Sequence, residues 1–220
     1  MEIARIARLE RNLQIDRVAL YRPFIFYTII VTAMNTAVQM RGAPSLLRAA
    51  VFITAGLLTW SLYEYATHRW VLHRVPKRHG FNLPGNLTHL RHHANPDSLD
   101  RLTVQLHEGI PVSVVYCFLA WILTGSWEST TFLYTGFALG YFFYEYLDFQ
   151  AHHGRARNRW IRYFRKNHLL HHHYDAKVRF GVTSPLFDYV FGTYRLGKRT
   201  RRTRGEQHHS VLTALETNPS

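Results

Sequence analysis

Apolar residues run almost unbroken through four stretches of the chain. Residues 23–40 and 109–127 contain no Asp, Glu, Lys or Arg, while 49–67 and 129–147 each contain one acidic residue, Glu64 and Glu145. Each stretch approaches the roughly 20 residues a helix needs to cross about 30 Å of hydrocarbon, so the pattern predicts four membrane-spanning helices in two hairpins. Ahead of them, Ile3, Ile6, Leu9, Leu13 and Ile15 recur between Arg5, Arg8, Arg11 and Arg17 with no small-residue cleavage site following, which predicts an interfacial lead-in helix over residues 1–20. Beyond the fourth stretch, Trp160, Ile161, Phe164, Leu169 and Leu170 alternate with Arg157, Arg159, Arg162, Arg165 and Lys166, the pattern of a basic helix lying at an interface. Ser184 and Pro185 then offer an N-cap and a first-turn proline to a short helix that Gly192 stops. Apolar periodicity fades from residue 198, and 206–220 read as a disordered tail. The fold class is therefore all-α: one integral-membrane domain over residues 1–205, with four transmembrane helices and a helical cap.

Charge gives this arrangement a direction. The 220 residues are 47% hydrophobic yet carry a formal charge of +13, and 25 of the 27 Lys and Arg precede the first span, follow the second or follow the fourth. Only Arg41 and Arg48 fall between spans on the other side. The positive-inside bias places both termini and the cap on the cytoplasmic side of a multi-pass protein. The basic excess then points to anionic lipid headgroups as the partner surface and not to nucleic acid. The single cysteine, Cys117, lies within the third span, which excludes disulfides within the chain and any cysteine-ligated cluster.

An internal repeat follows the hairpins. Tyr63-Glu64-Tyr65 returns as Tyr144-Glu145-Tyr146, and His89-x-x-His92-His93 returns as His168-x-x-His171-His172. Each unit is a hairpin, an acidic residue near the end of its second helix, a short pair (His68 and His73; Asp148 and His152), and an H-x-x-H-H box. Two such units facing one site are a common way for membrane proteins to build a pocket. Positions i, i+3 and i+4 share a helix face, so His89, His92 and His93 form one imidazole stripe, and His168, His171 and His172 another. Asp148 and His152 are also i, i+4. His68 and His73 are not: five residues turn a regular helix by about 500° and leave the side chains roughly 140° apart. Either the helix loosens between them or the two rings reach different metals. Ten potential ligands exceed what one ion can use, and two ions would employ them all. Imidazole accepts iron, copper, nickel and zinc alike, so the donors do not by themselves name the metal.

Other histidines carry weaker signals. His79, His107, His208 and His209 read as solvated polar residues, and His153 and His173 neighbour the boxes but break the repeated spacing. Glu64 lies one turn before His68, which suggests that it orients that imidazole.

Taken together, His68-x4-His73, His89-x-x-His92-His93, the 148–152 pair, His168-x-x-His171-His172 and the following Phe180-Gly181-Val182-Thr183-Ser184-Pro185-Leu186-Phe187-Asp188 with Phe191-Gly192-Thr193 resemble the fatty acid hydroxylase / sterol desaturase superfamily of integral-membrane oxygenases over about residues 60–195. The resemblance implies a four-helix core capped by a cytosolic lobe, two iron ions held by the ten residues above (with zinc able to replace iron), and O2-dependent hydroxylation of a membrane lipid. Fatty-acyl chains stand ahead of sterols and carotenoids, with desaturation as the alternative on the same centre. Asp148 departs from the pattern, since the family usually begins its third box with histidine; aspartate also ligates iron, which gives a mixed donor set. That departure keeps alive a reading from another class, a non-catalytic metal-binding or metal-transport protein, although ligands gathered on one side of the membrane favour the enzyme. Aromatic residues Phe142, Phe143, Tyr144 and Tyr146 are candidates for the walls of a dry substrate pocket. No flavin, nicotinamide or iron–sulfur fingerprint occurs, so electrons would come from a separate donor protein docking on the basic face.

Overall fold

The computed structural model describes residues 2–74, 85–96, 103–154 and 158–195, with side chains from residue 21 onward except that of Leu87. Arg157, His79, His208, His209 and the 206–220 tail lie outside them. Among the described residues there are seven α-helices and no strand: α1 (Glu2–Met40), α2 (Leu46–Thr67), α3 (Asn86–Ala94), α4 (Leu106–Thr124), α5 (Trp127–His152), α6 (Arg159–His173) and α7 (Leu186–Val190). A π-helical turn, His68–Leu72, extends α2.

Three of these are long and apolar enough to cross a membrane: Tyr21–Met40 of α1, Leu46–Leu72, and α4 over Leu106–Thr124. Their apolar side chains face outward, as Ile25, Val51, Leu58, Phe118 and Ile122 do. That is the arrangement a lipid coat requires and water would penalise. The fourth apolar stretch forms α5, whose 26 residues rise about 39 Å. It packs against α1, α2, α4 and α6. Helix α5 is largely enclosed, burying Thr130, Thr131, Phe132, Tyr134, Phe137 and Tyr141 among others, so it has less need of a lipid-facing apolar surface than the helices around it.

Close approach of α2 and α5 rests on two glycines. A Cβ on Gly56 would collide with the Leu133 carbonyl, and one on Gly136 with the Ile53 carbonyl. Small residues at facing positions are how helices pack tightly where lipid offers no hydrophobic drive. Side-chain hydrogen bonds add to this: Asn35 Nδ2 donates to Thr135 Oγ1 at 2.8 Å, and the Thr59 and Tyr116 hydroxyls lie 2.7 Å apart. Tyr27, Trp60, Phe137 and Tyr141 fill the centre, with Trp60 meeting Phe137 edge-on at 5.1 Å, a geometry worth about 0.5–1.5 kcal/mol beyond burial.

The structure shifts several expected boundaries. The lead-in segment is helical as expected, and α1 runs without a break from Glu2 into the first span, because the basic segment has good helix formers and no breaker before Pro23. The expected third span, 109–127, ends early at Thr124. Gly125 adopts a left-handed conformation there, and the Ser126 side chain accepts from Ser129 N–H to start α5. The expected cap at Ser184 moves one residue, since Pro185 takes the N-cap position of α7 while Ser184 Oγ accepts from Leu186 N–H at 3.2 Å. Gly192, with φ of 69°, does lie just past the end of that helix. At the far end of the bundle Arg48 pairs with Glu128 at 3.0 Å and Arg41 lies over Trp127, tying the α1–α2 and α4–α5 turns together. Every described box residue lies at the opposite end.

Candidate metal centre

Helix α2, its π turn and helices α3, α5 and α6 bring the ten sequence candidates into two groups of five. His68, His73, His89, His93 and His171 form one group; His92, Asp148, His152, His168 and His172 form the other. Within each, one donor atom per residue lies within 4.8 Å of every other. Each group therefore draws on both repeat units. The π turn answers the spacing problem of the first pair: His73 N–H bonds to His68 C=O, five residues back. This wider turn aligns the two rings, with Nε2 atoms 3.1 Å apart. The helix loosens, and both rings serve the same group.

Donor spacing fits a metal. His89 and His73 Nε2 are 3.2 Å apart, His93 and His89 3.1 Å, His171 and His73 2.9 Å, and His152 and His168 3.1 Å. With metal–nitrogen bonds of about 2.0–2.1 Å, two donors at right angles sit about 3 Å apart. In the second group, Asp148 Oδ1 lies 2.7 Å from His168 Nε2 and 3.5 Å from His92 and His152 Nε2. His93 and His172 stack face to face at 3.9 Å, joining the two groups. Burial, followed by the crowding of other imidazoles, holds His89, His93, His171 and His172 well below the ordinary histidine value, and His73 at about 4. The rings are thus neutral, the form that ligates metal.

Two rings have their tautomer fixed by backbone. His68 Nδ1 donates to Phe180 C=O at 2.5 Å and His171 Nδ1 to Val178 C=O at 2.7 Å, which leaves Nε2 of both free to bind metal. Glu64 does not orient His68 directly, contrary to its sequence expectation. Its carboxylate turns toward the segment after the last box, accepting from Val182 N–H, Thr183 N–H (3.0 Å), the Thr183 hydroxyl and Trp60 Nε1 (3.1 Å). Its counterpart in the second repeat, Glu145, accepts from Val104 N–H at 2.8 Å. Each acidic residue therefore ties down a segment that follows the other unit's histidine box.

A cavity of about 180 Å³ adjoins the centre, reached by His68, His89, His92 and Asp148 and walled toward the membrane by Trp60, Tyr63, Phe137, Tyr141 and Tyr144. Of the four expected aromatic wall residues only Tyr144 lines it. Phe143 and Tyr146 are 41% and 45% exposed and Phe142 packs beside the aromatic core, because these positions lie on other faces of α5. Tyr141, one turn before Glu145, takes part instead; the same helical periodicity would have found it. His107, His153 and His173 are exposed and belong to neither group. The Val178 and Phe180 carbonyls and the Asp188 carboxylate, which accepts from Phe180 and Gly181 N–H at 2.9 and 2.8 Å, went unforeseen. Backbone acceptors leave no trace in side-chain chemistry, and Asp188 stood out only as the last residue of the motif that follows the final box.

Known proteins resemble this chain in sequence and in fold. Residues 53–193 match the family model described as fatty acid hydroxylase. The chain is 28% identical over 183 residues to the dihydroceramide fatty acyl 2-hydroxylase FAH1 of Arabidopsis thaliana, covering 82% of this chain and 75% of that protein. It is 32% identical over 145 residues to fatty acid 2-hydroxylase of Rattus norvegicus, covering 63% of this chain but only 38% of the rat protein. The solved structure of scs7p, in which only the hydroxylase domain is visible, superposes with a TM-score of 0.68 at 26% identity, covering 82% of this chain and 70% of that one. The family match takes in both histidine units and the segment that holds them, and on that ground the chain belongs to the fatty acid hydroxylase family.

Proposed function

We propose that this protein is a membrane lipid hydroxylase that uses two iron ions and O2 to hydroxylate a fatty-acyl chain, and, by similarity to the relatives above, that the chain is carried on a ceramide-type lipid and oxidised at C2. The observation that carries this reading is the pair of five-donor groups opening onto a cavity that runs into the apolar bundle. Iron bound there would supply the redox chemistry by which O2 oxidises an unactivated C–H bond. The residues of the chain do the rest. His68, His73, His89, His93 and His171 would hold one ion, and His92, Asp148, His152, His168 and His172 the other. Trp60, Phe137 and Tyr144, which line the cavity, would keep water out of it and hold the acyl chain beside the donors.

Helix α5 is proposed as a fourth span, with the centre and both termini cytoplasmic. Basic helix α6, on which Trp160 is 59% exposed beside Arg159, Arg162 and Lys166, would rest on anionic headgroups. The same cationic face suits an acidic electron-donor protein. Membranes containing the protein, supplied with a defined ceramide, a reductase system and 18O2, should yield 2-hydroxyacyl product carrying one 18O, and His171→Ala should abolish it. Metal-loaded protein that leaves every fatty-acyl lipid unlabelled would sink the reading.

A further inference from the structure

Four successive backbone N–H groups, those of Phe180, Gly181, Val182 and Thr183, are held by two buried carboxylates. Asp188, 1% exposed, accepts from Phe180 N–H through Oδ1 at 2.9 Å and from Gly181 N–H through Oδ2 at 2.8 Å, and Thr193 Oγ1 donates to its Oδ1 at 2.7 Å. Glu64, 4% exposed, accepts from Val182 and Thr183 N–H and from the Thr183 hydroxyl and the Trp60 indole. The carboxylates come from α7, which follows closely in sequence, and from α2, more than a hundred residues earlier, so one short segment is anchored both locally and across the fold. Its other polar edge faces the centre, where Phe180 C=O accepts from His68 and Val178 C=O from His171. Between those carbonyls Arg179 adopts a left-handed backbone, φ 58°, unusual for a residue with a side chain. It is held there by its N–H on Thr193 C=O at 3.1 Å and its guanidinium on Asn167 Oδ1 at 2.6 Å.

His68 and His171 come from different boxes yet belong to the same five-imidazole group. In the other group, Nδ1 of His92, His168 and His172 meets no hydrogen-bond partner among the described residues, and an anionic donor, Asp148, is present instead. The two positions are thus built differently, one around rings fixed by backbone and the other around a carboxylate.

We propose that Glu64 and Asp188 are positioning residues for the five-imidazole metal position alone, acting through the Phe180 and Val178 carbonyls to aim His68 and His171. The inference rests on the two-ion reading above. An isosteric amide breaks the anchor, because it turns an NH2 donor toward groups that are themselves donors. Loss of such an outer partner typically weakens metal affinity about 10- to 100-fold.

The test is metal analysis and Mössbauer spectroscopy of iron-loaded protein purified in detergent, with affinity read by chelator competition. Wild type should hold about two ions; any other count fails the two-ion reading before a variant is made. Asp188→Asn and Glu64→Gln should each lose one ion at chelator concentrations that leave wild type full, and the signal that disappears should be the one lost in His171→Ala. Adding His171→Ala to Asp188→Asn should remove nothing more, whereas adding His168→Ala should empty the protein. If an amide variant does not fold, Thr193→Val, which deletes one of the three bonds to Asp188, takes its place with a smaller, position-selective loss. Folded variants that keep both ions at wild-type affinity, or that lose both together as a general loosening would dictate, overturn the proposal.

Discussion

Asp148 offers an oxygen where its four neighbours in the group offer nitrogen. It is 1% exposed, and Oδ1 is the atom nearest to three of those imidazoles. A carboxylate buried so deeply is costly unless paired or bound to a cation, and the groups facing it here are three imidazoles of the same five-donor group. As a ligand, Asp148→Ala should lower the metal content from about two ions toward one, with affinity for that ion falling about tenfold or more. Asp148→His should restore the count while shifting the Mössbauer parameters of one site, since a neutral donor replaces an anionic one. Full occupancy and full turnover in Asp148→Ala would show that the carboxylate does not ligate. Among the bystanders, His107→Ala should leave metal content unchanged, because its side chain is 76% exposed.

Helices α2 and α5 are the elements on which the centre depends. Glu64 and the π turn come from the first, Asp148 and His152 from the second, and the two helices meet at Gly56 and Gly136 with no room for a side chain. Gly136→Leu should therefore destabilise the protein by about 3 kcal/mol or more and, by spreading the helices, reduce occupancy of both metal positions. Leu139→Ala on the same helix should do little, since Leu139 is 45% exposed; thermal melts in detergent together with metal analysis distinguish the two. At the other end, the Arg48–Glu128 pair has side chains 51% and 27% exposed. Its removal in Arg48→Ala should cost under about 1 kcal/mol, which a melt in the same detergent would measure.

For the whole molecule the two ends differ in chemistry. The described donors and the basic helix α6 occupy one end, while at the other the only Lys or Arg are Arg41, in the α1–α2 connection, and Arg48, in the first turn of α2. With Cys117 replaced by alanine, single cysteines at Arg41 and at Arg162 should label from opposite sides of sealed vesicles, Arg162 from the cytoplasmic side. Labelling of both from one side would end the topology proposed here. Protein produced in zinc-rich medium should still carry about two ions per chain but be inactive, and iron reconstitution should recover activity, because imidazole and carboxylate accept both metals while zinc has no redox chemistry.

Local pattern was enough to reveal the three helices long and apolar enough to cross a membrane, the repeat and the ten residues that the structure gathers into two groups. Hydrocarbon length, helical periodicity and imidazole chemistry are properties of short segments, and each leaves its mark at fixed spacing along the chain. The π turn at His68–Leu72 was half legible: an i, i+5 pair does not fit a regular helix, but the spacing alone could not choose between a loosened turn and two separate metals. Tertiary structure decided how the ten residues divide, since His171 joins the first pair and His92 the second only because α3 packs on the π turn, α6 packs on α5, and the four are brought together at one end. It also decided the role of Glu64. One turn of helix brought it near His68 in sequence, yet packing of the 178–183 segment gave its oxygens to backbone N–H groups, and the imidazole went to a carbonyl. Which backbone groups meet across more than a hundred residues depends on the packing of whole elements, and no local spacing encodes it.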